Sequence, residues 1–267
     1  MFTFELLTPG SEVVIADNET SRELTSQIGY LKKHFFDANT ALNLVYERRA
    51  YESSKFDKDT WEIERQRRSE LFSEVLQEFG NLQEFTRLGD NDIYDDIQLE
   101  ATIRFSRENT DKGVLPEKLE RNKLKIFAHA YLQALDSVGK FLKAITENAS
   151  APPEVGVLRQ QFLDLFPDLQ GVRDTIQHLE DRTRGLGRPY KGKKPPLDYQ
   201  DPKKYVHAPG AKVLMFDCFM GNLFGCTKAD GHYGEVDISP ESMHELQKII
   251  QDIIYAFEWK GMKQFEP

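Results

Sequence analysis

Apolar residues recur at intervals of three and four along most of this chain, the period of an α-helix with one buried face. Leu24, Ile28, Leu31, Phe35, Leu42 and Val45 follow that rule, with Asn18 or Thr20 ahead of them as a cap, so the spacing predicts a long helix to about Ser53. A second amphipathic stretch begins at Asp57 or Asp59 and covers Thr60 to Phe79 on Trp61, Ile63, Leu71, Phe72, Val75, Leu76 and Phe79, with Gly80 and Asn81 closing it. Between Asn81 and Thr110, Ile93, Tyr94, Ile97, Leu99, Ile103 and Phe105 predict one or two short helices. The strongest pattern runs from Pro116 to about Asn148 on Leu119, Leu124, Phe127, Ala128, Tyr131, Leu132, Leu135, Val138, Phe141, Leu142 and Ile145. Three shorter helices follow: one near Val155 to Phe166, one from Pro167-Asp168 to Gly185 and Gly187, and one from Ser239-Pro240 on Met243, Leu246, Ile249, Ile250, Ile253, Ile254 and Phe257.

Extended runs are few. Phe2 to Leu7 and Glu12 to Ala16 flank a Thr8-Pro9-Gly10-Ser11 turn. Lys212 to Phe219 and Leu223 to Thr227 flank Gly221-Asn222 as a β-hairpin, and Gly234 to Ile238 adds a third strand. The expected fold is therefore mainly α: a helical bundle with a small C-terminal β-hairpin or small antiparallel sheet. It is read as a single domain over residues 1–267, with the hairpin as an elaboration near 211–238. No internal repeat, heptad array, phosphate loop or dinucleotide fingerprint is present.

Composition narrows the classes. No apolar run approaches the roughly 20 residues that span a bilayer, and Met1-Phe2-Thr3-Phe4-Glu5-Leu6-Leu7 lacks the basic start of a secretory signal. The expectation is a cytoplasmic protein without a membrane partner. Cys218 and Cys226 are the only cysteines, which suits a reducing compartment and reads as two buried small hydrophobes. Neither Cys-x-x-Cys nor His-Glu-x-x-His occurs, so no metal and no cofactor is expected. Asp90, Asp92, Asp95, Asp96 and Glu100 make an acidic stretch, read as a solvated face in preference to a magnesium site.

Net charge is −9 with a pI near 5.3, which excludes a protein that coats nucleic acid indiscriminately. The charge is uneven, however. Arg182, Arg184, Arg188, Lys191, Lys193, Lys194, Lys203 and Lys204 crowd one stretch against Asp181, Asp198 and Asp201. Pro189, Pro195, Pro196 and Pro202 read it as an extended loop able to guide a polyanion.

That loop follows the segment that carries the most chemistry, Gly171-Val172-Arg173-Asp174-Thr175-Ile176-Gln177-His178. Arginine holds a phosphate through a planar fork of donors, and histidine moves protons near neutral pH. The chain has only six histidines. At about 100° per residue, Leu169, Val172, Ile176 and Leu179 form the core stripe of this helix. Asp174 and His178, four apart, share a face away from it, so the carboxylate is placed to orient the imidazole. Arg173 lies on the flank. His129, on the long helix near Phe127 and Tyr131, reads as a packed residue.

Arg-x4-His at the start of a helix that follows long bundle helices resembles the HEPN superfamily (higher eukaryotes and prokaryotes nucleotide-binding). The helix Lys123 to Asp136 is similar to that superfamily's preceding core helix, and the resemblance covers Leu119 to Arg184. The hairpin from Lys212 to Thr227 has no counterpart in it. The resemblance implies a helical bundle, commonly a homodimer, with two copies of the motif meeting in a cleft. Many members are metal-independent endoribonucleases of toxin–antitoxin, abortive-infection and RNA-processing systems, often held by an inhibitory protein partner. Carried over, His178 is the general acid/base, Arg173 holds the scissile phosphate and Asp174 orients its neighbours. Arg182, Arg184, Arg188, Lys191, Lys193 and Lys194 are then the expected RNA-binding set. Other members have lost catalysis. The alternative is a non-catalytic helical interaction or scaffold protein, or a nucleotide-binding module, and the free edge of the hairpin offers strand addition to a partner.

Overall fold

The computed structural model describes residues 1–54, 57–79, 91–189, 191–200, 205–206 and 212–267. Among them eight helices dominate, with three small antiparallel sheets. The mainly α class expected from the apolar period is the class found. The chain divides into two compact units, Met1–Glu47 with Lys125–Pro267, and Arg48–Leu124. The second unit has a small core of its own.

In that second unit, α2 (Lys58–Phe79) and α3 (Asn91–Asp111) pack against each other through Leu71, Val75, Ile97 and Ala101, flanked by Phe72, Leu76, Ile93 and Phe105. Asp57 caps α2, accepting from the Thr60 amide and hydroxyl. Arg67 pairs with Glu70, Glu74 and Glu108, and Arg104 with Glu78 and Glu100. Trp61, Ile63 and Phe79, expected on the apolar face, are exposed. Gly80, Asn81 and Asp90, named in the sequence reading, lie outside the described residues.

The first unit is built on α1 (Asn18–Ser54) and α4 (Glu117–Glu147), both of which continue into the second. Asp17, one residue before the expected Asn18, is the cap: its carboxylate accepts from the Thr20 amide at 2.8 Å and the Thr20 hydroxyl at 2.6 Å. Leu24, Ile28, Leu31, Phe35, Leu42 and Val45 are all fully buried, as their spacing requires. On α4 the buried set is Ala128, Tyr131, Leu132, Ala134, Leu135, Val138, Leu142 and Ile145, while Leu119 is exposed. α5 (Glu154–Leu165) passes close to α4: a Cβ on Gly139 would meet the Phe162 ring at 2.9 Å. α8 (Pro240–Tyr255) starts as expected, with Ser239 and Ser242 in a reciprocal cap and Pro240 in the first turn, and buries Met243, Leu246, Ile249, Ile250, Ile253 and Ile254.

The two N-terminal extended runs do not pair with each other. β1 (Leu6–Thr8) pairs with β7 (Gln264–Glu266), and β2 (Glu12–Val13) with β6 (Trp259–Lys260). Gly10 makes the crossing possible, since a Cβ there would stand 2.5 Å from the Lys260 carbonyl oxygen. Side-chain amides complete the backbone pairing: Gln251 of α8 both accepts from the Leu7 N–H and donates to the Leu7 carbonyl.

The third sheet has the order β3 (Cys218–Met220), β4 (Leu223–Thr227), β5 (Tyr233–Asp237). Its first turn is Gly221-Asn222, with Gly221 at φ 62°, and Phe224 stands opposite Val236. The first strand is shorter than expected, because Asp217 takes φ 48° and interrupts the extended run. Among the described residues no helix is long and apolar enough to cross a membrane.

Candidate functional site

The Arg-x4-His segment lies across two helices, α6 (Leu169–Gln177) and α7 (Leu179–Thr183). A single helix through His178 to Gly185 is expected from the spacing. The structure corrects this: His178 leaves the helical conformation, at φ −126° and ψ 40°, while its amide still bonds the carbonyls of Asp174 and Thr175. The buried face of α6 is Leu169, Val172 and Thr175; Ile176 and Leu179 are half-buried. Thr175 is inside because it meets a backbone acceptor at the end of β4, donating its hydroxyl to the Thr227 carbonyl at 3.3 Å. Cys226 is buried beside it, with its thiol on the Val172 carbonyl.

The Asp168 carboxylate fixes the start of α6 to the third sheet, through an ion pair just after β4 and a backbone amide of β5. Asp168 accepts from Lys228 Nζ at 2.7 Å and from the Glu235 amide at 3.2 Å. The stem of Lys228 runs between two glycines: a Cβ on Gly171 or Gly234 would approach its Cδ to 2.6 or 2.5 Å. Burial works against the Lys228 charge, but the Asp168 carboxylate outweighs it and raises the pKa.

Arg173 is held between two acids. Its Nε and Nη2 donate to Asp136 Oδ2 on α4 at 3.1 and 2.8 Å, and its Nη1 donates to Asp174 Oδ1 at 2.6 Å. Lys140 Nζ completes the group at 2.7 Å from Asp136. The Asp174 carboxylate thus serves Arg173, not His178 as the shared-face geometry anticipates. The break after Gln177 is the cause, since it removes His178 from the helical register that would stack it on Asp174.

His178 is 58% exposed, with Glu180 Oε1 at 3.7 Å from its Nδ1. It also lies in a cluster with Glu180 and Asp181 whose ligand atoms all fall within 4.8 Å of one another. A cation there has a competitor, because Asp181 already accepts both oxygens' worth of bonds from Lys194 Nζ, at 2.8 and 2.6 Å. That ammonium holds the Asp181 carboxyl below its ordinary range.

The expected basic surface is only partly assembled. Arg182 is buried, 2% exposed, and donates to the Leu186 carbonyl; α7 turns it inward, so it is a structural residue and does not face a polyanion. Lys194 is committed to Asp181. Arg184, Arg188, Lys191 and Lys193 are exposed. Lys203 and Lys204 lie outside the described residues. The loop that carries Arg188 to Lys194 is closed at its base, by the Gly187 amide on the Pro195 carbonyl and the Leu197 amide on the Gly185 carbonyl, each at 2.7 Å. Lys194, next to Pro195 at that base, ties the loop to the same carboxylate cluster that contains His178.

Two contributors escaped sequence reasoning. Asp136 is 37 residues before Arg173, and only its place on the polar side of α4 marks it. Asp217, 88 residues after His129, accepts from His129 Nε2 at 3.0 Å and lies 3.7 Å from Lys125 Nζ. The His129 bond pulls the Asp217 carboxyl below its ordinary range despite burial. No local pattern announces either pair. Comparison with protein-family models, with curated proteins and with solved structures finds no match to this chain.

Proposed function

We propose that the protein is a HEPN-like RNA-binding protein whose Arg173–His178 segment cleaves single-stranded RNA without a metal ion. The observation that carries this reading is the placement of an exposed imidazole on the carboxylate cluster that anchors a basic loop, one turn after an arginine tied to the bundle. In this reading Arg184, Arg188, Lys191 and Lys193 attract the phosphate backbone, and a salt-dependent affinity follows. Arg173 holds the scissile phosphate and stabilises its developing charge. His178 takes the proton of the ribose 2′-hydroxyl, whose oxygen attacks phosphorus as the bond to the 5′ oxygen breaks. The second copy of His178, in the homodimer that the resemblance implies, protonates the leaving oxygen. The products are a 2′,3′-cyclic phosphate and a 5′-hydroxyl. Bacterial defence, with an inhibitory protein partner, is the setting that the resemblance suggests.

Incubating a single-stranded RNA with the protein in EDTA tests the reading, the expected result being new ends that carry 2′,3′-cyclic phosphate. One observation favours a second reading. Three donors of Arg173 are already satisfied by Asp136 and Asp174, which suits a non-catalytic interaction protein in which this arginine staples α6 to α4. In that case RNA survives intact and Arg173 variants change stability alone.

A further inference from the structure

The Arg173 guanidinium is shared unequally by its two carboxylates. Asp136 takes Nε and Nη2 on one oxygen, is 12% exposed, and carries a second cation in Lys140. Asp174 takes Nη1, is 26% exposed, and its side chain meets no second cation among the described residues. Asp136 is therefore held even when Arg173 is engaged elsewhere, and Asp174 is the acid that a competing anion displaces at least cost. A phosphodiester brings one negative charge and two free oxygens, so its exchange for one carboxylate keeps both the charge balance and the planar donor geometry.

We propose that Asp174 is a built-in substitute for the scissile phosphate. It occupies the Nη1 side of Arg173 while the site is empty and swings out when a phosphodiester arrives, with Asp136 anchoring the other side. This rests on the RNA reading of the site and deepens it, giving Asp174 a competing role in place of an orienting one. It also accounts for an arginine whose Nε, Nη1 and Nη2 are each held by a carboxylate at rest, five residues before an exposed histidine.

The test is a titration with inorganic phosphate, followed through the side-chain ¹⁵N–¹H resonances of Arg173, in the wild type and in Asp174→Asn, Asp174→Ala, Asp136→Asn and Glu245→Gln. Removing the competitor is expected to tighten phosphate binding about fivefold in both Asp174 variants, the worth of a partly exposed ion pair. Asp136→Asn gains nothing, because the anchor is lost. Glu245→Gln, which removes an exposed charge on α8, leaves the affinity unchanged. The proposal is overturned by Asp174 variants that bind phosphate no better than the wild type, by a wild type and variants that all fail to bind it, or by an equal gain in Glu245→Gln. Should Asp136→Asn fail to fold, the two Asp174 variants decide. Tighter phosphate binding without any RNA binding or cleavage retires the RNA reading and keeps the gate. RNA binding by the wild type with no gain in the Asp174 variants does the reverse.

Discussion

Lys228→Met separates charge from packing at the start of α6. Methionine keeps an unbranched stem in the channel between Gly171 and Gly234 and removes only the ammonium. Asp168 then retains one donor, the Glu235 amide. The pair is 18% and 29% exposed at its two ends, between a surface pair worth up to ~1 kcal/mol and a buried pair whose disruption costs about 3–5 kcal/mol. A loss of about 2 kcal/mol is expected, or a fall in Tm of roughly 4–8 °C in a chain of this size. Because the chain has two compact units, the unfolding signal must belong to the first. Trp259 supplies it once Trp61, the other tryptophan, is replaced by phenylalanine. Asp168→Asn on the Lys228→Met background should recover part of the loss, since the uncompensated charge is gone. A Lys228→Met variant as stable as its parent refutes the view that this ion pair fixes α6, and with it Arg173, to the sheet.

Two glycine substitutions should move stability in opposite directions. Gly225→Ala forces a Cβ to 2.5 Å from the Gly234 carbonyl oxygen and should cost about 1–3 kcal/mol in urea denaturation; Gly29→Ala, inside α1 with nothing within 4 Å, should stabilise by about 0.5–1 kcal/mol. Asp217→Asn tests the His129 bond: the folded carboxyl is depressed, so its contribution is present above the ordinary aspartate pKa of about 3.9 and is lost as pH falls through the folded value. The variant should be about 1 kcal/mol less stable than wild type at pH 7, with the gap closing in acid; asparagine tolerates the positive φ, and a pH-independent gap would assign the loss to packing. Burial pushes the Cys226 thiol up to about 12, so it should resist iodoacetamide at pH 8 until the protein unfolds; alkylation at the rate of a free thiol would contradict that burial.

The helices were legible wherever one face repeats over several turns. α1 and α8 bury the residues that their spacing selects, and α4 does so from Ala128 onward except for the half-buried Phe141, because three or more turns of a consistent stripe leave one solution. Short elements were not. β6 and β7 have two and three residues, too few for a two-residue period to show, and their partners lie at the other end of the chain. The candidate site was legible as residues and not as contacts. Arg173, Asp174 and His178 stand out by type, but the break at His178 depends on backbone angles that no neighbouring glycine or proline announces. Composition likewise placed Arg182 with the loop cations, while the inward face of α7 follows from where Leu186 returns. Asp136 was the largest omission, since an ion pair between two helices leaves no mark on the spacing of either.

The most direct test compares wild type with His178→Ala on one labelled single-stranded RNA in EDTA. The His178 side chain is largely exposed, so far-UV circular dichroism and Tm should be unchanged. Cleavage to 2′,3′-cyclic phosphate ends is expected from the wild type, with a loss of at least about a hundredfold in the variant, the scale of removing a general acid–base group. Equal cleavage by both proteins, or none by either, would contradict it.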